Sequence, residues 1–136
     1  MSGKGGAPVN EQERAGLNKR SFELSFRGGS IWCEHLDSMG GMEAEVIRKL
    51  QADACSFARP SVSARMIVNL DETVVTDAIA ACVAECITGC GKRFARIAFV
   101  GPGRREQRQI AALMQGCGAQ LAFLSDYERA KEWVMG

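Results

Sequence analysis

RMIVNLDETVVTDAIAACVAECITGCGKRFARIAFVGPG, residues 65–103, contains two strands and the helix that joins them. Arg65 to Leu70 is rich in apolar residues and reads as a strand, and Phe94 to Val100 reads as another. Between them the apolar period lengthens from two to the helical repeat, with Ile79, Cys82, Val83, Cys86 and Cys90 on one stripe. Thr76 is the expected N-cap, Asp77 complements the positive helix end, and Gly89 or Gly91 ends the helix. Strands separated by a helix of this length pair in parallel through a right-handed crossover.

Working outward, Gly101-Pro102-Gly103 is a turn, Arg104 to Gln115 a helix stopped by Gly116 or Gly118, and Gln120 to Leu124 a strand. Ser125-Asp126-Tyr127-Glu128 matches a capping box, with the Ser125 hydroxyl expected to accept from the Glu128 amide, and opens a helix to about Met135. Upstream, Met42, Val46, Ile47, Leu50, Ala54 and Phe57 oppose Glu45, Arg48, Lys49, Gln51 and Asp53, an amphipathic helix that Arg59-Pro60-Ser61 ends. Before it, Phe22, Leu24 and Phe26 alternate with polar residues, Gly28-Gly29 interrupts, and Ser30 to Leu36 forms a second strand, together a β-hairpin. The order β-β-α-β-α-β-α-β-α predicts an α/β fold whose five-stranded sheet is mixed but mostly parallel, with one antiparallel edge strand. Residues 1–20, with four glycines and little apolar periodicity, read as a flexible arm, and residues 21–136 as one domain.

The strands are lopsided. Met66, Val68 and Leu70 oppose Arg65, Ile67 and Asn69; Ala95, Ile97 and Phe99 oppose Phe94, Arg96 and Ala98; Leu121 and Phe123 oppose Gln120, Ala122 and Leu124. One face is the stronger core. The other is covered by a helix or by the N-terminal arm, with Arg65 and Arg96 near strand ends, or else it holds a partner, a second subunit or an apolar ligand.

The composition bounds the function. With 46% apolar and 24% charged residues in 136, the chain can bury a core without disulfides or a metal. A net charge of +1 is not the basic excess of a nucleic-acid binder. The apolar runs are too short for a membrane span, and Met1 to Gly6 leads into a polar stretch without the core of a signal peptide, so a cytoplasmic location is expected. Six cysteines scattered through apolar segments read as reduced, mostly buried thiols.

These ordered features resemble the SpoIIAA-like proteins, relatives of the STAS domain (sulfate transporter and anti-sigma factor antagonist). The features are the glycine hairpin, the long first helix, Ile67-Val68-Asn69-Leu70 with its Thr-containing loop, Ile97-Ala98-Phe99-Val100-Gly101, and the ending Asp126-Tyr127-Glu128-Arg129-Ala130-Lys131-Glu132-Trp133-Val134. The resemblance covers roughly residues 22–135. It implies successive βα units, a fold similar to bacterial anti-sigma factor antagonists and to CRAL-TRIO lipid carriers. It also implies a serine, phosphorylated by a partner kinase, at the start of the helix after the third strand. Laid on this chain, that motif puts its Asp at Asp77 and its Ser at Ala78, which cannot be phosphorylated. Thr76 could substitute as a switch or mark partner docking together with Asp77, or could simply be the N-cap.

Other constellations are weaker. Cys82, Cys86 and Cys90 share a helical face, but they form no CxxC pair and the single histidine is His35, so no metal site and no cofactor is expected. Gly101, Gly103, Arg104 and Arg105 could bind an anion at a helix start or form an ordinary solvated turn. Cys33 and His35 share a strand side but make no dyad unless the strand bends, and no other nucleophile and base fall in a known motif, so the expectation is not an enzyme. Two functions remain: a regulatory module acting through a protein partner or a homodimer, and a small carrier for an apolar ligand such as a lipid.

Overall fold

The computed structural model describes residues 19–136. The flexible arm expected for residues 1–20 therefore lies, apart from Lys19 and Arg20, outside the described residues. Strands β1 (Phe22–Phe26) and β2 (Gly29–His35) form the hairpin, with Phe26 opposite Gly29. The turn residues are thus Arg27 and Gly28, both at positive φ (50° and 80°), the two-residue turn whose twist matches that of its strands. Gly29 does not interrupt the hairpin; it is the first residue of β2.

The remaining elements are α1 (Glu43–Phe57), β3 (Arg65–Asn69), α2 (Asp77–Thr88), β4 (Arg96–Val100), α3 (Arg104–Leu113), β5 (Gln120–Leu124) and α4 (Tyr127–Met135). The strands lie in the order 1-2-3-4-5, with β1 antiparallel to β2 and the others parallel. This is the α/β architecture and element order expected. Each parallel strand is added beside the last on the same side, so right-handed crossovers carry α1, α2 and α3 to one face. That face holds the main core, including Trp32, Leu50, Phe57, Met66, Val68, Ile79, Val83, Ile97 and Phe99.

Helix α4 follows the last strand and folds onto the other face, where Ala130 and Val134 cover Ile31, Cys33, Ile67, Ala98 and Val100. A helix thus covers the weaker face. Its last turn carries no basic residue, and two strand arginines complement its negative end. Arg65 Nε donates to the Val134 carbonyl at 2.9 Å, and Arg96 Nη1 donates to that of Trp133 at 2.6 Å, its guanidinium 5.1 Å from the Trp133 ring centre.

Three local expectations change. Phe94 precedes the β4 ladder, so strand alternation does not govern it; it turns into the main core, its ring centre 6.2 Å from that of Phe57. The N-cap of α4 is Asp126 rather than Ser125: the Asp126 carboxylate accepts from the Glu128 amide at 2.9 Å, and Glu128 pairs with Lys131 at 2.7 Å instead of reaching back. The cysteines are all free, but only Cys33 and Cys82 are buried, and Cys55 is exposed. No helix among the described residues is long and apolar enough to cross a membrane.

Candidate functional site

At the carboxyl ends of the strands, the loop after β2 and the loop after β3 continue the parallel ladder beyond the sheet. Leu36 N–H donates to the Asn69 carbonyl (2.9 Å), Ser38 N–H to Asp71 (2.8 Å), Gly40 N–H to Glu72 (3.1 Å), and Val74 N–H back to Gly40 (2.8 Å). Thr73 locks the pair, its hydroxyl donating to the Leu36 carbonyl at 2.6 Å and accepting from the Met39 amide at 3.1 Å. Ser38 and Glu72 are held at φ of 60° and 56°, a left-handed conformation that non-glycine residues adopt at some energetic expense. The result is a stiff double loop that delivers Val74, 57% exposed, to the surface just before α2.

Thr76 is the N-cap of α2, as expected. Its hydroxyl accepts from the Ile79 amide at 3.2 Å and donates to the Glu43 carboxylate at the start of α1. Asp77 and Ala78 are exposed, and Asp77 accepts from Gln109 Nε2 of α3 at 2.9 Å. Replacing Thr76 with alanine is expected to lower stability by about 1 kcal/mol, with serine restoring most of it. Denaturant unfolding of both variants checks this, and equal losses would exclude a capping role.

The turn Gly101-Pro102-Gly103 lies on the same rim. Gly101 has φ +106°, and a Cβ there would sit 2.7 Å from the Asp71 backbone, so the loops after β3 and β4 touch only because this residue is glycine. Gly101→Ala is expected to cost about 2 kcal/mol, read as a lower denaturation midpoint with unchanged slope. Gly103 is the N-cap of α3, Arg104 and Arg105 are exposed, and the Glu106 carboxylate folds back to 3.0 Å from where a Gly103 side chain would begin. That carboxylate lies at the helix end where an external anion would bind. Thr76, Asp77, Gly101, Gly103, Arg104 and Arg105, picked separately from the sequence, therefore belong to one rim, bridged by Gln109.

A second cluster centres on Glu34, which no motif of the sequence marks. Glu34 on β2 points into the main core between Trp32 and Leu36 and is fully buried. Trp32 Nε1 donates to Glu34 Oε1 at 2.9 Å, and Oε2 is buried with no hydrogen-bond partner among the described residues. Burial, and then Asp53, push the Glu34 carboxyl up to about 9 against the opposing pull of Trp32 and Lys49. Burial also works to raise Asp53, but the neighbouring Glu34, Lys49 and Ser21 overcome it and hold Asp53 below the usual carboxylate range. Lys49 Nζ ties the group together, 3.0 Å from Asp53 Oδ2 and 2.9 Å from Ser21 Oγ. Near neutral pH one proton sits on Glu34 and Asp53 is charged. A signal existed in the sequence: Trp32, Glu34 and Leu36 share a strand face, so an acid between two large apolar residues has to be buried.

The cysteine and histidine readings are also placed. Cys33 is fully buried, and burial raises its thiol against a hydrogen bond with Tyr127 and the charge of Lys131, which disfavours the reactive thiolate. His35 Nδ1 lies 3.2 Å from Asp37 Oδ1, its ring between Phe22 and Tyr127, while Asp37 also pairs with Lys19. Cys82 and Cys86 lie with sulfurs 3.9 Å apart, and burial followed by the neighbouring Cys82 raises Cys86 to about 12. Among the described residues no three His, Cys, Asp or Glu side chains come together as a metal would need. Comparison of the chain with protein-family models, with curated proteins and with solved structures finds no match.

Proposed function

We propose that this chain is a non-catalytic, cytoplasmic regulatory module of the anti-sigma factor antagonist kind, acting through a protein docked on the rim around Val74 to Ala78. The observation that carries the reading is the stiff double loop. Two non-glycine residues are held at positive φ and a threonine is spent on bracing, and what this rigidity presents is an exposed valine beside an exposed helix start. Rigid, strained backbone at a surface is a mark of recognition rather than of stability.

The resemblance to SpoIIAA-like proteins agrees with this surface, because Ala78 occupies the position of their phosphorylated serine. With alanine there, docking on this rim needs no phosphate. A phosphate on Thr76 would face Glu43 and Asp77, two carboxylates, and would break the cap. The carrier alternative requires an open second sheet face, and Ala130 and Val134 of α4 fill it, so the interaction reading is the better supported.

A photo-crosslinking residue placed at Ala78, and in a control at exposed Arg59 near the opposite end of the sheet, tests the reading in the cells that make the protein. A discrete protein adduct from position 78 and none from position 59 is the expected result. Adducts of equal pattern from both, or none from 78, would end it.

A further inference from the structure

The two edges of the sheet are built differently. β1 carries Glu23 within it and Arg27 at its end, where Arg27 pairs with Glu132 at 2.6 Å. Charges of this kind block edge-to-edge pairing. β5 ends the sheet on the other side, and among the described residues no strand pairs with its outer edge. The chain carries no charged side chain anywhere in residues 109–125. Leu121, Ala122, Phe123 and Leu124 are all only half-buried.

The hydrogen-bonding pattern says what this edge can accept. Gln120 N–H donates to Ala95, and the Leu124 carbonyl accepts from Gly101, so residues 120, 122 and 124 turn their backbone groups toward β4. Backbone direction alternates along a strand, so Leu121 and Phe123 turn theirs outward. We infer that β5 pairs antiparallel with β5 of a second copy about a two-fold axis at Ala122, joining two sheets into one of ten strands. In that register Leu121 meets the partner's Phe123 as a hydrogen-bonded pair, and the reverse pair follows by symmetry. The outward groups of both residues are thereby satisfied at once. The closer, non-hydrogen-bonded pair at the axis is Ala122 with the partner's Ala122, where small side chains suit the short separation. Gln120 meets Leu124, and no like charges oppose one another. In this register the strand is complementary to itself within residues 120–124, and this surface is separate from the rim around Val74.

Sedimentation velocity of the full chain at micromolar concentration, with amide exchange on the same sample, tests the assignment. The expected species is a dimer whose Leu121 and Phe123 amides are protected as well as that of Ala122. Ala122→Lys, which sets two ammonium groups against each other at the axis, is expected to weaken the dimer at least about tenfold. Ala122→Glu does the same alone, and an equimolar mixture of the two variants restores a heterodimer. A monomeric wild-type chain, or freely exchanging Leu121 and Phe123 amides in a dimer, would overturn the inference. Should the lysine variant fail to fold, the exchange pattern of the wild type decides by itself.

Discussion

Replacing Glu34 with glutamine is expected to stabilise the protein by about 3 kcal/mol at pH 7. The carboxyl is raised in the folded state to about 9 from an ordinary value of 4.5. An acid whose folded value is raised binds its proton more tightly folded than unfolded, so its contribution is fully present below pH 4.5 and is lost as pH climbs toward 9. Each pH unit in that window removes about 1.4 kcal/mol, which gives the figure at pH 7. The amide of the variant reproduces the protonated acid. Its oxygen can keep accepting from Trp32 Nε1, and its nitrogen can donate toward Asp53. The gain should therefore grow between about pH 5 and pH 8, because the variant lacks the titration that weakens the wild type. Denaturant unfolding of both proteins across that range measures it. A gain independent of pH, or a loss at neutral pH, would show that Glu34 folds with its charge. A stability deficit retained in the natural chain also marks this position for an activity assay once a partner is in hand.

Lys92→Met is expected to destabilise the fold by about 3 kcal/mol, although it replaces only a half-buried side chain with one of similar length. The Lys92 ammonium, with three N–H donors, sits within hydrogen-bond distance of four carbonyls, those of Val62 (2.7 Å), Arg59 (2.8 Å), Phe57 (2.9 Å) and Ser63 (3.2 Å), so two of them share a donor. These carbonyls belong to the end of α1 and the loop that follows it. α1 has no basic residue in its last turn, so the charge complementing its negative end comes from a distant segment. Methionine keeps the hydrophobic stem and removes every donor, leaving the acceptors, three of them partly buried, to find water or move. The measurement is the unfolding free energy, with amide exchange around Val62 as the local readout. Loosening confined to residues 57–63 is expected. A change below about 0.5 kcal/mol would mean that water serves these carbonyls equally well.

Much of the fold was legible because it rests on local periodicity. The hairpin, four helices and three further strands follow from apolar spacing, caps and glycine stops, and the parallel arrangement follows from the length of the crossovers. Thr76 read correctly as an N-cap because capping depends on residues within one turn. Ser125 did not, because Ser125 and Asp126 both offer a side-chain acceptor and only the path of the chain out of β5 chooses between them. The turn at Arg27-Gly28 was displaced by one residue for a similar reason: strand register, set across the hairpin, decides which glycine turns.

For the site, sequence alone determined which residues stand at helix starts, and so nominated Thr76, Asp77, Gly101, Gly103, Arg104 and Arg105. Only the tertiary structure put them on one rim, because loops separated by a whole βα unit meet only after the strands pair. It alone set Glu34 against Asp53, laid α4 on the second face under Arg65 and Arg96, and gathered four carbonyls around Lys92. These are contacts between elements far apart in the chain. Periodicity reports which face of an element is buried, but not which distant group it meets there, and the second is what adds Asp53 to the effect of burial on the Glu34 carboxyl and brings Lys92 to the end of α1.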